Sequence, residues 1–432
     1  MLSLKNSEYQ QISKQLLSEF EIAVHSECSI DEHYRRAFSL NNDNFAGIPR
    51  PAKWVGFAKK SPAMLFIIFQ LCKLAWILGG GAVYYFFQMT CYFCRSLFMP
   101  YRVLENQVGD EFALGFSRRA MDVIADCSIG RQPDCWILLP WVRKKSHDES
   151  QHVVDVLSMV RFADFIMAFS LSIRALYTVG LARAGRGVGG RVLSTYIAFQ
   201  WFLARIALNK LNAKFFIIAE HHDRWAVLAD CLVQSKLSYG ASLVIVQHGV
   251  ESSLKASHRL RNVSRLYVYN EESLRIFEKN IIDMSVVKNR LDVCFYMPRI
   301  SLKTLDCSKF PHEVSVLMVG HPSVEPLHVN IYETLLKGRD FNVIYKPHPT
   351  VRESKELRKI GWVIWENKDE FPIVNILVSY PSTLVEEYHA AGIEAVVHPY
   401  AISVDNAANY LSNLSAVLEV FLTKAGGNIK ND

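Results

Sequence analysis

The sequence predicts an α/β protein with two doubly wound parallel sheets behind a helical, apolar N-terminal extension. Three observations carry that prediction. A chain of 432 residues exceeds one ordinary core. Beyond residue 105, short apolar segments alternate with helical patterns, as in sheets covered by helices. Before residue 105 lies a membrane-length uncharged run that belongs to neither sheet.

Half the residues are apolar, 21% are charged, and 25 Phe, 18 Tyr and 8 Trp supply large buried surfaces, which excludes a disordered chain. Lys and Arg outnumber Asp and Glu by 48 to 42. That excess is spread along the chain, so nucleic acid is not an expected partner; anionic small substrates or a membrane face fit better. The nine cysteines are odd in number and lack the dense spacing of a secreted scaffold, which points to a reducing compartment. Cys91 and Cys94 have no second pair or histidine partner at finger-like spacing, so no metal is expected there. The opening MLSLKNSEYQQISKQ has no apolar core or small-residue cleavage site, and no secretory signal is expected.

Residues 1–60 read as polar helix and loop, closed by Pro49, Pro51 and the pair Lys59 and Lys60. From Leu74 to Cys94 there are 21 residues without charge, bracketed by Lys73 and Arg95, and Ser61 to Cys72 add 12 more. The glycines at 79–81, with Gln88 and Thr90, weigh against a simple spanning helix. An anchor within 61–99, embedded or monotopic, and a buried core helix both remain open. The basic flanks suit anionic headgroups on the cytoplasmic face of the inner membrane. Residues 1–104 are therefore expected to form the extension.

Residues 105–300 are expected to form the first sheet, with strands at Cys135 to Leu139, Phe215 to Ala219, Ser242 to Gln247 and Leu266 to Tyr269, and helices such as Arg224 to Ser235. Residues 301–432 are expected to form the second, with strands at Val314 to Val319, Asn342 to Tyr345, Trp362 to Trp365, Ile373 to Val378 and Ala395 to Val397. Open α/β sheets bind ligands outside the carboxyl ends of their strands, so two in tandem predict a cleft between those ends. A last helix, roughly Asn406 to Thr423, is expected to pack back across the junction.

Three strand ends of the second sheet carry polar groups: Gly320, His321, Pro322 and Ser323; Lys346, Pro347, His348 and Pro349; and Ser379, Tyr380, Pro381, Ser382 and Thr383, which open a helix containing Glu387. A phosphate needs donors at close approach. Ser382 and Thr383 at a helix start offer hydroxyls, free N–H groups and the positive end of the dipole, and His348 sits on a loop stiffened by two prolines. Capping and plain turn structure are the alternatives. Lys346 and Glu387 are candidates for phosphate and ribose. In the first sheet, Gln247, His248, Gly249 and Glu251 follow a strand, with Gly249 leaving room for substrate and His248 suited to proton abstraction near neutral pH. Glu220, His221, His222 and Asp223 follow another; consecutive residues on one turn diverge, so metal binding is not expected, and Glu220, Asp223 and Glu251 are reserve candidates for the base. Gly185, Gly187 and Gly190 have dinucleotide-motif spacing but follow a helical pattern, so a basic loop with Arg183, Arg186 and Arg191 is the better reading, and no cofactor is expected.

The strings YKPHP, GHPS and SYPSTLVEE resemble the carboxyl-terminal half of bacterial GT-B glycosyltransferases of surface polysaccharide, nearest in pattern the lipooligosaccharide sialyltransferase and polysialyltransferase families. The QHG turn resembles that of CDP-glycerol glycerophosphotransferases and related capsule enzymes. The resemblance covers residues 210–400. It implies two Rossmann-like domains of GT-B type and an inverting, metal-independent glycosyltransferase extending a capsule or lipopolysaccharide glycan. The implied donor is a nucleotide sugar, with a CMP-sugar such as sialic acid or Kdo favoured, and the acceptor a glycan or glycolipid. His321, Lys346, His348, Pro349, Ser379, Ser382, Thr383 and Glu387 would hold the donor, and His248 would stand at the position of the base. The alternatives are a CDP-polyol phosphotransferase of the same fold, a sugar-nucleotide epimerase or hydrolase, and a non-catalytic membrane scaffold.

Overall fold

The computed structural model of the chain describes residues 2–37, 40, 45, 47–101, 110–127, 133–142, 152–181, 191–249, 254–297, 300–306, 308, 310–321, 324–348, 357–367, 370–399 and 404–428. Its first element, α1 (Leu2–Ala37), is polar on average yet amphipathic. Leu16, Phe20, Ala23 and Val24 recur one or two turns apart and are buried in the core of the first sheet. Glu19 on this helix receives the buried guanidinium of Arg205, Nε to Oε2 at 2.8 Å, so a satisfied ion pair accompanies the apolar contact. Helix α1 thus packs into the first core, while Leu40, Phe45, Ile48, Ala58, Leu65 and Phe69 form a separate apolar cluster. Helices α2 (Val55–Lys60), α3 (Pro62–Ala75) and α4 (Gly81–Leu97) follow.

The first sheet contains β1 (Glu111–Gly115), β2 (Cys135–Leu138), β3 (Val153–Asp155), β4 (Phe215–Ile218), β5 (Ser242–Val246), β6 (Val263–Val268) and β7 (Asp292–Phe295) in the order β3-β2-β1-β4-β5-β6-β7. Every pairing is parallel. Order reverses between β1 and β4. The covering helices are α5 (Arg118–Asp126), α6 (Phe162–Ala175), α7 (Ala198–Leu208), α8 (Arg224–Gln234), α9 (Glu271–Asn280) and α10 (Met284–Val287). Both faces of the sheet are covered, which explains why β2 and β4 read as unbroken apolar runs rather than alternating ones.

A parallel pair, β8 (Leu302–Lys303) with β12 (Phe371–Pro372), lies beside the second sheet. That sheet contains β9 (Val314–Val319), β10 (Phe341–Lys346), β11 (Val363–Ile364), β13 (Ile376–Ser379) and β14 (Glu394–Val397) in the order β11-β10-β9-β13-β14, all parallel. Its switch point lies between β9 and β13. Helices α11 (Glu325–Ile331), α12 (Thr383–Ala390) and α13 (Val404–Asn428) complete it. Leu414 and Leu418 of α13 are fully buried among Val316, Met318 and Val378. The last helix therefore packs into the second core.

Candidate active site

The carboxyl end of β1 runs into Ser117, which caps α5: its Oγ accepts from the N–H of Ala120 at 3.1 Å and donates to Glu220 Oε1 at 3.3 Å. Glu220 closes β4. Its Oε2 is shut off from water and makes no hydrogen bond. Burial, and then the neighbouring carboxylate of Asp223, raise its pKa from 4.5 to about 8, so the carboxyl is protonated at neutral pH. Asp223 is itself the N-cap of α8, accepting from Trp225 and Ala226 N–H at 2.9 and 3.0 Å. Both bonds fall on Oδ1 and hold the start of that helix. Beside it Glu27 of α1 pairs with Arg224.

The carbonyl of Ala219 accepts from two imidazoles, His248 Nδ1 at 2.6 Å and His221 Nδ1 at 3.1 Å. A carbonyl only accepts, so both Nδ1 atoms carry hydrogen and both Nε2 atoms carry a lone pair. Burial lowers the pKa of His248, with Arg119 adding to the effect, and the ring is neutral at pH 7. The half-buried His248 is thus fixed in the tautomer of a proton acceptor. Gln247 before it ties β5 to its neighbour: Oε1 accepts from Tyr269 N–H at 3.0 Å and Nε2 donates to Ser273 Oγ at 3.2 Å.

From the second sheet, α12 reaches across to these strand ends. Thr383 Oγ1 donates to the carbonyl of His248 at 3.0 Å, Asn270 Nδ2 donates to Glu386 Oε2 at 3.4 Å, and Arg119 pairs with Glu387. A Cβ at Gly249 would stand 3.1 Å from Thr383 Oγ1, so the room expected there for substrate is taken by α12. Ser382 is the extended N-cap residue of α12, and its side chain makes no capping bond; its Oγ lies 3.3 Å from Ser379 Oγ. His348 is half-buried and neutral, its pKa lowered by burial, and its ring meets His321 edge-on at 5.2 Å, while His321 meets Tyr380 at 5.7 Å.

Several expected donor ligands are otherwise engaged. Lys346 donates from Nζ to the carbonyls of Asn367 at 2.7 Å and Glu370 at 2.9 Å and lies 4.2 Å from the centre of Phe371. These bonds tie the end of β10 to the segments that carry those two carbonyls. Ser379 is fully buried and donates to Tyr380 O, Thr383 donates its hydroxyl hydrogen to His248 O, and Glu387 Oε1 is paired with Arg119. His321 is buried beneath the loop that carries His348. Glu251, Pro322, Ser323, Pro349 and the 183–190 loop lie outside the described residues. Among the described residues, no group of three or more His, Cys, Asp or Glu is placed to hold a metal.

Sequence reading overlooked Ser117, Arg119 and Tyr269. Ser117 and Arg119 follow β1, and the signal that would have found them is its stretch Glu-Phe-Ala-Leu-Gly leading to a serine cap; Tyr269 follows β6 and enters only through its backbone N–H to Gln247.

No protein-family model and no curated protein matches this sequence. Among solved structures the chain is similar to the GtfA/B complex, with TM-score 0.32 and 11% identity over 51% of this chain and 54% of that one. It is also similar to the wall teichoic acid polymerase TagF in complex with CDPG, with TM-score 0.34 and 9% identity over 67% of this chain and 70% of that one. The chain thus spans about half the length of the first and somewhat over two thirds of the second.

Proposed function

We propose that the chain is a glycosyltransferase that moves a sugar from a nucleotide donor, a CMP-sugar in the favoured case, onto a glycan or glycolipid acceptor with inversion. The observation that carries the reading is the tie between His248, held as a proton acceptor, and Thr383 at the start of α12. It joins a base and a helix amino end with free N–H groups in one place, at the carboxyl ends of both sheets.

In this reading the acceptor hydroxyl gives its proton to His248 Nε2 while its oxygen bonds to the anomeric carbon. The bond from that carbon to the phosphate oxygen breaks, and its electron pair stays on the phosphate. Charge developing there meets the first-turn N–H groups of α12, the hydroxyl of Ser382 and the imidazole of His348, which are oriented before the reaction begins. One displacement inverts the centre, and the protein groups neutralise the phosphate without a metal. The Gln247-His248-Gly249 turn favours a second reading, a CDP-polyol phosphotransferase, in which the same base serves an attack at phosphorus and CMP departs.

Thermal unfolding with and without nucleotides tests the proposal. Selective binding to the native state raises the midpoint. CMP, or CDP for the second reading, is expected to raise it in the wild type and much less in Ser382→Ala and His348→Ala. No shift with CMP, CDP, UMP or UDP would favour a scaffold without turnover. A shift together with nucleotide-sugar conversion in the absence of any acceptor would point to an epimerase or hydrolase.

A further inference from the structure

Pro62–Leu97 is long and apolar enough to cross a membrane, with mean hydropathy 1.8, yet only 11% of its most apolar window is buried. Met64, Ile67, Leu71 and Leu74 on α3 and Leu78 in the turn after it are exposed and recur every three or four residues, an apolar stripe facing solvent. On α4, Val83, Phe86 and Phe87 are exposed as well, Phe86 meeting Phe169 edge-on at 6.3 Å.

The backbone does not run straight. Gly79 between the two helices has φ +125°, outside the helical region and open only to glycine, so the segment is two limbs of 14 and 17 residues joined by a π-helical turn. At 1.5 Å per residue these are about 21 and about 26 Å long, each short of the ~30 Å hydrocarbon core. The inner face of α4 is fastened to the first lobe: Tyr85 donates to Thr195 O at 2.8 Å, Gln200 donates to Tyr92 Oη at 2.6 Å, and Arg95 bonds to Asp155 at 2.6 Å. A helix bound along one side to a lobe with a polar surface cannot cross the bilayer without taking that surface into hydrocarbon. It can lie in the interface with its other side in the acyl chains.

Every charged residue from Pro51 to Leu97 is a cation: Lys53, Lys59, Lys60, Lys73 and Arg95. A second copy docked through the same patch about a two-fold axis would bring these cations face to face. Anionic headgroups would neutralise them. We infer that the broken helix 62–97 is a monotopic seat in the plane of an anionic lipid leaflet, apolar stripe in the acyl chains and cations at the phosphates, and does not span the membrane. This inference stands apart from the catalytic reading and is tested without an activity assay.

The full chain is mixed with vesicles of phosphatidylcholine containing 30% phosphatidylglycerol, or of phosphatidylcholine alone, and floated on a density gradient. Flotation is expected with the anionic vesicles, at least tenfold weaker with the neutral ones, and weakened by 0.5 M salt. The double variant Leu78→Glu with Phe87→Glu changes two exposed positions, so its thermal midpoint should be unchanged while flotation falls at least tenfold. The exposed thiols Cys72, Cys91 and Cys94 should lose reactivity toward a water-soluble maleimide only when vesicles are present. Thiol protection without vesicles that grows with protein concentration would mean a second copy and overturn the inference, as would absence of flotation. In sealed membrane vesicles from expressing cells, Lys60→Cys and Phe98→Cys should be labelled from the same side by an impermeant reagent; labelling from opposite sides would mean a span and equally overturn it.

Discussion

Arg119, on the first turn of α5 after β1, and Glu387, on α12 after β13, form an ion pair that joins the two sheets at their switch points. Glu387 is buried, and its pKa is raised by that burial against the pull of Arg119. The guanidinium is half exposed, so solvent screens the pair. Arg119→Met leaves the carboxyl buried without its partner and is expected to destabilise by about 1–2 kcal/mol in urea unfolding. Glu387→Gln keeps a hydrogen-bond acceptor and should cost less. Equal stability of wild type and Arg119→Met would remove this tie from the account.

Neutral His248 is the reactive form, and its pKa is lowered from 6.5 by burial. Turnover should therefore fall as pH drops through a value below 6.5 and hold level above it until other groups titrate. His248→Asn should abolish that acid limb. A limb that survives unchanged in the variant would assign the titration to another group.

Thr383 and Ser382 are neighbours with separable roles. Thr383→Val deletes the bond to His248 O and should cost about 0.5–1.5 kcal/mol of stability while leaving nucleotide affinity nearly unchanged. Ser382→Ala has no capping bond to lose and forfeits only the 3.3 Å bond to Ser379 Oγ, so stability should fall less than in Thr383→Val while nucleotide affinity falls about tenfold, or about 1.4 kcal/mol. Calorimetric titration beside thermal scans reads both, and the reverse pattern would exchange the two roles.

Glu220 binds its proton more tightly folded than unfolded, since its pKa rises from 4.5 to about 8. Its contribution to stability is complete below pH 4.5 and is lost as pH climbs through about 8. Glu220→Gln should flatten that loss and unfold later than wild type at pH 9, by on the order of 1–3 kcal/mol for an unpaired buried group. A wild-type pH-stability profile already flat over this range would contradict the buried, protonated carboxyl.

The second sheet was the more legible half. Each of its five strands carries Val or Ile and matches an expected strand with small shifts at the ends, β13 starting at Ile376 after Asn375. In the first sheet, β1 escaped because alanine and glycine weaken its strand signal, β3 because it has three residues, and β7 because Asp292 and Cys294 on an edge break its apolar character. His248, His348 and Ser382 stand on turns that punctuate clear strands, whereas the role of Lys346 could not be read, because the carbonyls of Asn367 and Glu370 come to it from about twenty residues away.

Transfer from a CMP-sugar, with release of CMP followed by chromatography for wild type and His248→Asn under identical conditions, tests the central claim most directly. The account predicts release that depends on an acceptor, and a loss of about 10²-fold or more in the variant, which should still bind CMP. Full activity in His248→Asn, or no acceptor-dependent nucleotide release from CMP-, CDP- or UDP-activated donors, would contradict it.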